Sequence, residues 1–226
     1  MSVTLLIEQL LNGVQLGTML FLMASGLTLV FGVMGLINLA HGSFYMVGAY
    51  ATAAVTASTG SFLIGLAAGM TAAALVGALV ELLVIRRLYH RPHLDQVLAT
   101  FALILIFSEG TRWIFGSSPL WLSPPSWLTG FVTLPGDTRY PVYRLVLIGV
   151  GVAIAIALYL LISRTRLGMR IRAGESDREM IGALGVNIAK LYTVVFALGA
   201  ALAGLAGALV GALQSVQVGM GEPGLI

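Results

Sequence analysis

The chain has 226 residues, of which 58% are hydrophobic and 9% charged, with 28 glycines, no cysteine and a mean hydropathy of +0.99. A soluble domain carries about 25% charged residues, so most of this surface faces lipid rather than water. The lack of cysteine excludes a disulfide scaffold, a thiolate metal site and a cysteine nucleophile. A net charge of +3 is too thin for a surface that tracks nucleic-acid phosphates.

A membrane-crossing helix needs roughly 20 mostly apolar residues to cover a ~30 Å hydrocarbon core. In chain order the windows are Leu10–Phe31, Phe62–Ile85, Val97–Phe115, Val142–Ile162 and Leu191–Leu213. A sixth, Leu36–Thr59, opens on Asn38, His41 and Gly42 and is rich in small residues, so it reads as a full span or a broken one. The expected fold is all-α, a single polytopic bundle over residues 1–226 with about six hydrophobic segments. Gly13 and Gly17, Gly65 and Gly69, Gly207 and Gly211, and the run Gly69, Ala73, Gly77 are stripes along which helices approach closely in lipid.

The few charges orient these spans. No Lys or Arg occurs before Arg86, so the N-terminus lacks the basic region of a cleavable signal and reads as mature sequence. Arg86, Arg87 and Arg91 form one basic segment. Arg164, Arg166, Arg170, Arg172, Arg178 and Lys190 form another. The positive-inside rule puts both in the cytoplasm and residues 116–141 outside. Three spans before Arg86 place the N-terminus outside, and two place it inside. Pro119, Pro124, Pro125 and Pro135 bar a long helix from the outer segment. Trp121 and Trp127 there, with Trp113 just inside the membrane edge, are interfacial anchors or part of a docking surface for an external partner.

Catalytic groups are scarce: there is no HExxH pair or GxSxG elbow, and the two intramembrane acids, Glu81 and Glu109, are not at helical spacing. No metal ligand set or cofactor motif is expected. Glu109 pairs with Arg112 three residues on, and Glu81 sits near the inner end of its span, so both acids read as structural. The single lysine, Lys190, lies in Ala-Lys-Leu, which excludes a Walker A loop. ATP-driven transport by this chain therefore requires a separate ATPase subunit.

Two stretches are more specific. One runs from Leu10-Leu11-Asn12-Gly13 through Ser25-Gly26-Leu27-Thr28 to Ile37-Asn38-Leu39-Ala40-His41-Gly42. The other runs from Thr165-Arg166-Leu167-Gly168 through Asp177-Arg178-Glu179-Met180-Ile181-Gly182-Ala183-Leu184-Gly185 to Leu202-Ala203-Gly204. Together they resemble the inner-membrane permease of branched-chain amino acid ABC importers, over nearly the whole chain. Asn38, His41 and Gly42 then line a translocation path at a broken helix, or they cap helices in an interfacial turn. Residues 164–190 resemble the cytoplasmic loop that couples such permeases to their ATPases, with Arg172, Ala173, Asp177, Met180, Ile181, Leu184 and Gly185 as the contact region. The residues themselves allow a short helix from about Arg178 to Leu184, capped by Ser176 or Asp177 and ended by Gly185. That helix offers Met180, Ile181 and Leu184 to a partner groove, or the basic loop is simply held against anionic lipid.

The resemblance implies a multi-pass protein of the bacterial inner membrane and a machine of several chains. These are a second homologous permease subunit, two cytoplasmic ATPase subunits and a periplasmic substrate-binding protein, with membrane lipid around the bundle. Permeases of urea and short-chain amide importers share these motifs, so the cargo is a branched-chain amino acid or a small amide. A secondary transporter or channel, favoured by inverted repeats, and a membrane anchor for another protein are the rivals from other classes. Family members continue past the point where this chain reaches Gly221-Glu222-Pro223-Gly224-Leu225-Ile226, so a C-terminally truncated product is expected.

Overall fold

The computed structural model describes residues 3–134 and 138–221. Pro135 and the tail Glu222–Ile226, on which the truncation expectation rests, lie outside the described residues. Eight helices are described: α1 (Val3–Met34), α2 (His41–Thr59), α3 (Phe62–Leu83), α4 (His93–Phe115), α5 (Val142–Arg164), α6 (Arg166–Ser176), α7 (Arg178–Ala183) and α8 (Ile188–Gly211). α1, α3, α4, α5 and α8 are long and apolar enough to cross a membrane. The fold is an all-α polytopic bundle, as expected.

The doubtful window divides into two parts. α1 stops at Gly35, whose φ of 63° is costly for any residue with a Cβ. The chain then runs without helix through residues 35–40 and re-forms helix at His41. The His41 ring lies against Gly26 of α1, eight residues before the end of that helix, so the link folds back along α1. The link and α2 fill the sixth window as a broken segment, and α2 is not among the five helices long and apolar enough to cross. α2 ends at Gly60 (φ 70°), and the Ser61 hydroxyl accepts from the Ile64 amide to start α3.

Contacts at the helix ends order the passes. Asn12 near the start of α1 accepts hydrogen bonds from Arg144 (2.8 Å) and Tyr140 (3.3 Å) beside the start of α5, while Met34 at its other end accepts one from Arg178. The start of α1 therefore lies at the end of the bundle that carries residues 116–141. The basic segments around Arg86 and Arg178 lie at the opposite end.

Glycine sets the packing of α2, α3 and α8. A Cβ at Gly48 would strike the backbone of Gly204, one at Gly207 the backbone of Tyr45, and one at Gly77 the Ala200 methyl. Lipid supplies no hydrophobic force between helices, so this close approach and its dispersion contacts hold the three together. The expected Gly65/Gly69 stripe packs against Thr52 and Thr56 of α2. The expected Gly13/Gly17 stripe does not pack: nothing comes within 4 Å of a Cβ built at either position, because α5 meets α1 elsewhere, at Thr18 against Gly151.

Two elements were not anticipated. Two short strands, β1 (Phe131–Leu134) and β2 (Thr138–Pro141), pair antiparallel, with Val132 opposite Tyr140. The supposed basic stem after α5 is the helix α6, begun by the Thr165 hydroxyl accepting from the Gly168 amide at 3.0 Å.

Candidate functional site

The chemistry-bearing residues fall into two groups. The first is the break before α2. Asn38 is 2% exposed and accepts from the Ala40 amide at 3.1 Å through Oδ1, while its Nδ2 has no partner. His41 is fully buried, held edge-to-face 6.2 Å from Phe44, and neither ring nitrogen makes a hydrogen bond. The Met23 carbonyl lies near the ring without hydrogen-bond geometry. Gly42 is buried with the backbone of Gly221 laid against it. Asn38, His41 and Gly42 are thus brought together in the interior of the bundle, with Asn38 hydrogen-bonded to neighbouring backbone.

The second group is the loop between α5 and α8. The Asp177 carboxylate accepts from the Met180 amide at 2.9 Å, which caps α7 as the Asp177 alternative expected. Gly185, at φ 85°, turns the chain out of α7, and its amide donates to the Gly182 carbonyl at 3.0 Å. Met180 and Leu184 are 60% and 77% exposed. Ile181 differs from the other two: it is buried, while Leu184 lies just past the end of α7. Arg172 turns back toward the bundle, donating to the Ile162 carbonyl near the end of α5. With Glu175 it lines one end of a cavity of about 490 Å³ between α1, α5 and α6. Ala173 is exposed and accepts from the Asp177 amide, joining α6 to the α7 cap.

Arg178 connects the two groups. It is the first residue of α7, and its guanidinium donates to the Met34 carbonyl at 3.4 Å. A cation at the end of α1 meets the negative pole of that helix. One residue further on, Gly35 begins the link that carries Asn38 and His41.

A buried polar cluster at the same end went unread in the sequence. Glu81 is fully buried, yet it accepts from Arg86 Nε and Nη2 (3.2 and 3.1 Å), the Tyr89 hydroxyl (2.6 Å) and the Thr193 hydroxyl (2.8 Å). Arg86 also donates to Thr193 at 2.8 Å, so α3 and α8 are clamped through one carboxylate. Burial, then the hydrogen bond to Glu81, holds the Tyr89 phenol well above its ordinary range. Five residues separate Glu81 from Arg86, which is not a helical-face spacing. The pair forms because α3 gives way to a 3₁₀ turn at Ile85–Arg87 that swings Arg86 back. Glu109 and Arg112 do pair as expected, on an exposed face of α4.

A bundle of apolar passes, with non-helical backbone and unmatched polar groups enclosed at depth, is the arrangement of a polytopic transport protein. Residues 9–222 match the family described as the permease component of the branched-chain amino acid transport system, and the chain belongs to that family. It is 30% identical to the high-affinity branched-chain amino acid transport system permease protein LivH of Escherichia coli K12, over 93% of this chain and 72% of that protein. It is 32% identical to the corresponding protein BraD of Pseudomonas aeruginosa PAO1, over 97% of this chain and 74% of that protein. LivH of Salmonella typhimurium LT2 is 29% identical over 93% and 72%. No solved structure matches the chain. The protein is a multi-pass permease of the bacterial inner membrane.

Proposed function

We propose that this chain is the permease subunit of an ATP-driven importer of branched-chain amino acids. Separate cytoplasmic ATPase subunits grip α7, a second related permease chain completes the pathway, and a periplasmic binding protein delivers the cargo. The observation that carries the reading is α7 itself: a short, doubly terminated helix at the basic end of the bundle, presenting Met180 and Leu184 to the outside. In a soluble setting two such side chains would be turned inward. Here they offer a small apolar ridge to a groove in a partner.

The positive-inside rule assigns the α7 end to the cytoplasm and, with six passes, the start of α1 to the outside. Closure of the ATPases on ATP displaces α7. Arg178 passes that displacement to the end of α1 and the link at 35–40, and the path at Asn38, His41 and Gly42 opens to alternate sides. This chain makes no covalent bond in the cycle; its residues bind, pass force and exclude water.

The test is substrate-stimulated ATP hydrolysis by the complex reconstituted with its ATPases and binding protein. Leucine, isoleucine or valine should raise turnover. Gly185→Val forces a β-branched residue into φ 85°, at a cost of about 1–3 kcal/mol, and should lower that stimulation while the complex still assembles. Stimulation unchanged in Gly185→Val would remove α7 from the coupling route.

A further inference from the structure

The link at residues 35–40 delivers the N-terminus of α2 into the enclosed interior. The first amides of a helix have no partner within it and carry the positive end of its dipole. At α2 the N-cap position is Ala40, which supplies no side-chain hydrogen bond. Asn38 and His41 flank that turn, 2% and 0% exposed. Asn38 spends its acceptor on the Ala40 amide and keeps a free amide donor, and a His ring carries an N–H in either tautomer. Six buried side-chain nitrogen or oxygen atoms lack a partner among the described residues, and three of them are on these two side chains. The His41 and Ser43 amides already donate to the Asn38 and Ala40 carbonyls, at 3.3 and 3.0 Å, so what this turn leaves unspent beside the positive pole is the Asn38 Nδ2 and the imidazole N–H, with the Met23 carbonyl near the ring.

A second non-helical segment reaches the same place from the other end of the bundle. After α8, Val216 pairs with Leu120 of the outer segment, the Gly219 amide donates to the Met46 sulfur at 3.4 Å, and Gly221 lies on the backbone of Gly42. Irregular backbone at membrane depth is tolerated only against protein or along a water-filled path. Beside this meeting point the Phe44 ring packs edge-on to Phe107 and Phe196, at 5.9 and 5.6 Å, forming an aromatic wall.

We infer that the first turn of α2, with Asn38 Nδ2 and His41, is the docking point for the carboxylate of an amino acid cargo, covered in this conformation by the backbone of Gly221. The inference rests on the proposed path at the α2 break and adds which end of the cargo is held there. A carboxylate satisfies several donors at once and gains from the dipole. The ammonium group meets donors there, with only the Met23 carbonyl near the ring, and a neutral amide gains less than a carboxylate from the donors and the pole. The aliphatic body of the cargo lies toward Phe44.

The experiment uses the assembled complex in nanodiscs, with Ser43→Cys as the permease's one thiol, since the chain has no cysteine of its own. Modification of that position by a small methanethiosulfonate is read by mass on the permease during ATP turnover. Leucine should slow modification about tenfold, and leucinamide should not. Asn38→Asp places a carboxylate at the pole and should reverse the order, so that leucinamide protects and leucine does not. Equal protection by the two compounds, with and without Asn38→Asp, would overturn carboxylate docking while leaving the path intact. A thiol that never reacts during turnover, or one that neither compound protects, would remove the path itself. If Asn38→Asp does not assemble, the contrast between leucine and leucinamide in Ser43→Cys alone decides.

Discussion

The triple junction of α2, α3 and α8 and the short helix α7 are held in opposite ways. At the junction backbones touch: Gly48 meets Gly204, Gly207 meets Tyr45, and Glu81 ties α3 to α8 through Arg86 and Thr193. α7 is held by one buried side chain, Ile181, and one guanidinium, Arg178, while Met180 and Leu184 stand clear. Close backbone contact resists displacement because no side chain can yield. A helix fixed at two points can be moved as a lever. The contrast divides the chain into a tightly packed body and a lightly held short helix, the handle of the proposed coupling.

The largest effect expected of any substitution is at the body. Gly48→Val drives a branched side chain into the Gly204 backbone and should destabilise the permease by about 3 kcal/mol or more. Gly17→Val, with open space at its Cβ, should stay within about 0.5 kcal/mol. Thermal unfolding in detergent followed by tryptophan fluorescence separates the two; equal midpoints would erase the distinction between packed and open glycines. Next in size is Glu81→Ala, which leaves Arg86 without its carboxylate and the Tyr89 and Thr193 hydroxyls without an acceptor. A loss of about 3 kcal/mol is expected on the same assay, and wild-type stability would mean that the clamp contributes nothing. The smallest effect concerns the handle. Arg178→Ala should leave the unfolding midpoint in place yet lower uptake per ATP hydrolysed by roughly fivefold, a coupling of about 1 kcal/mol, with Arg178→Lys recovering part of it. An unchanged ratio of uptake to hydrolysis would break the link between α7 and α1.

Much of this was legible in the sequence, and what was not has physical reasons. The α7 cap at Asp177 and the stop at Gly185 were readable because both act through local backbone geometry. The apolar passes were readable because lipid leaves few ways to satisfy a backbone. Leu36–Thr59 stayed ambiguous because Gly, Ser, Thr and His dilute its hydropathy, and only the packing of His41 on Gly26 shows how deep the break lies. The Gly13/Gly17 stripe misled, since small-residue spacing marks a face able to pack and not one that is packed. The Glu81 cluster had no local signal: it needs a 3₁₀ turn and a threonine 112 residues away. α6 was masked by its arginines, which read as a basic stem rather than as one face of a helix.

The central claim is tested most directly at Leu184. A photo-crosslinking residue placed there in the whole complex, in native membranes, should capture an ATPase subunit, with a yield that changes when ATP is bound. An impermeant reagent added outside intact cells should fail to reach a cysteine at the same position. Exterior labelling of Leu184→Cys, or crosslinking there that captures no ATPase subunit, would contradict the account.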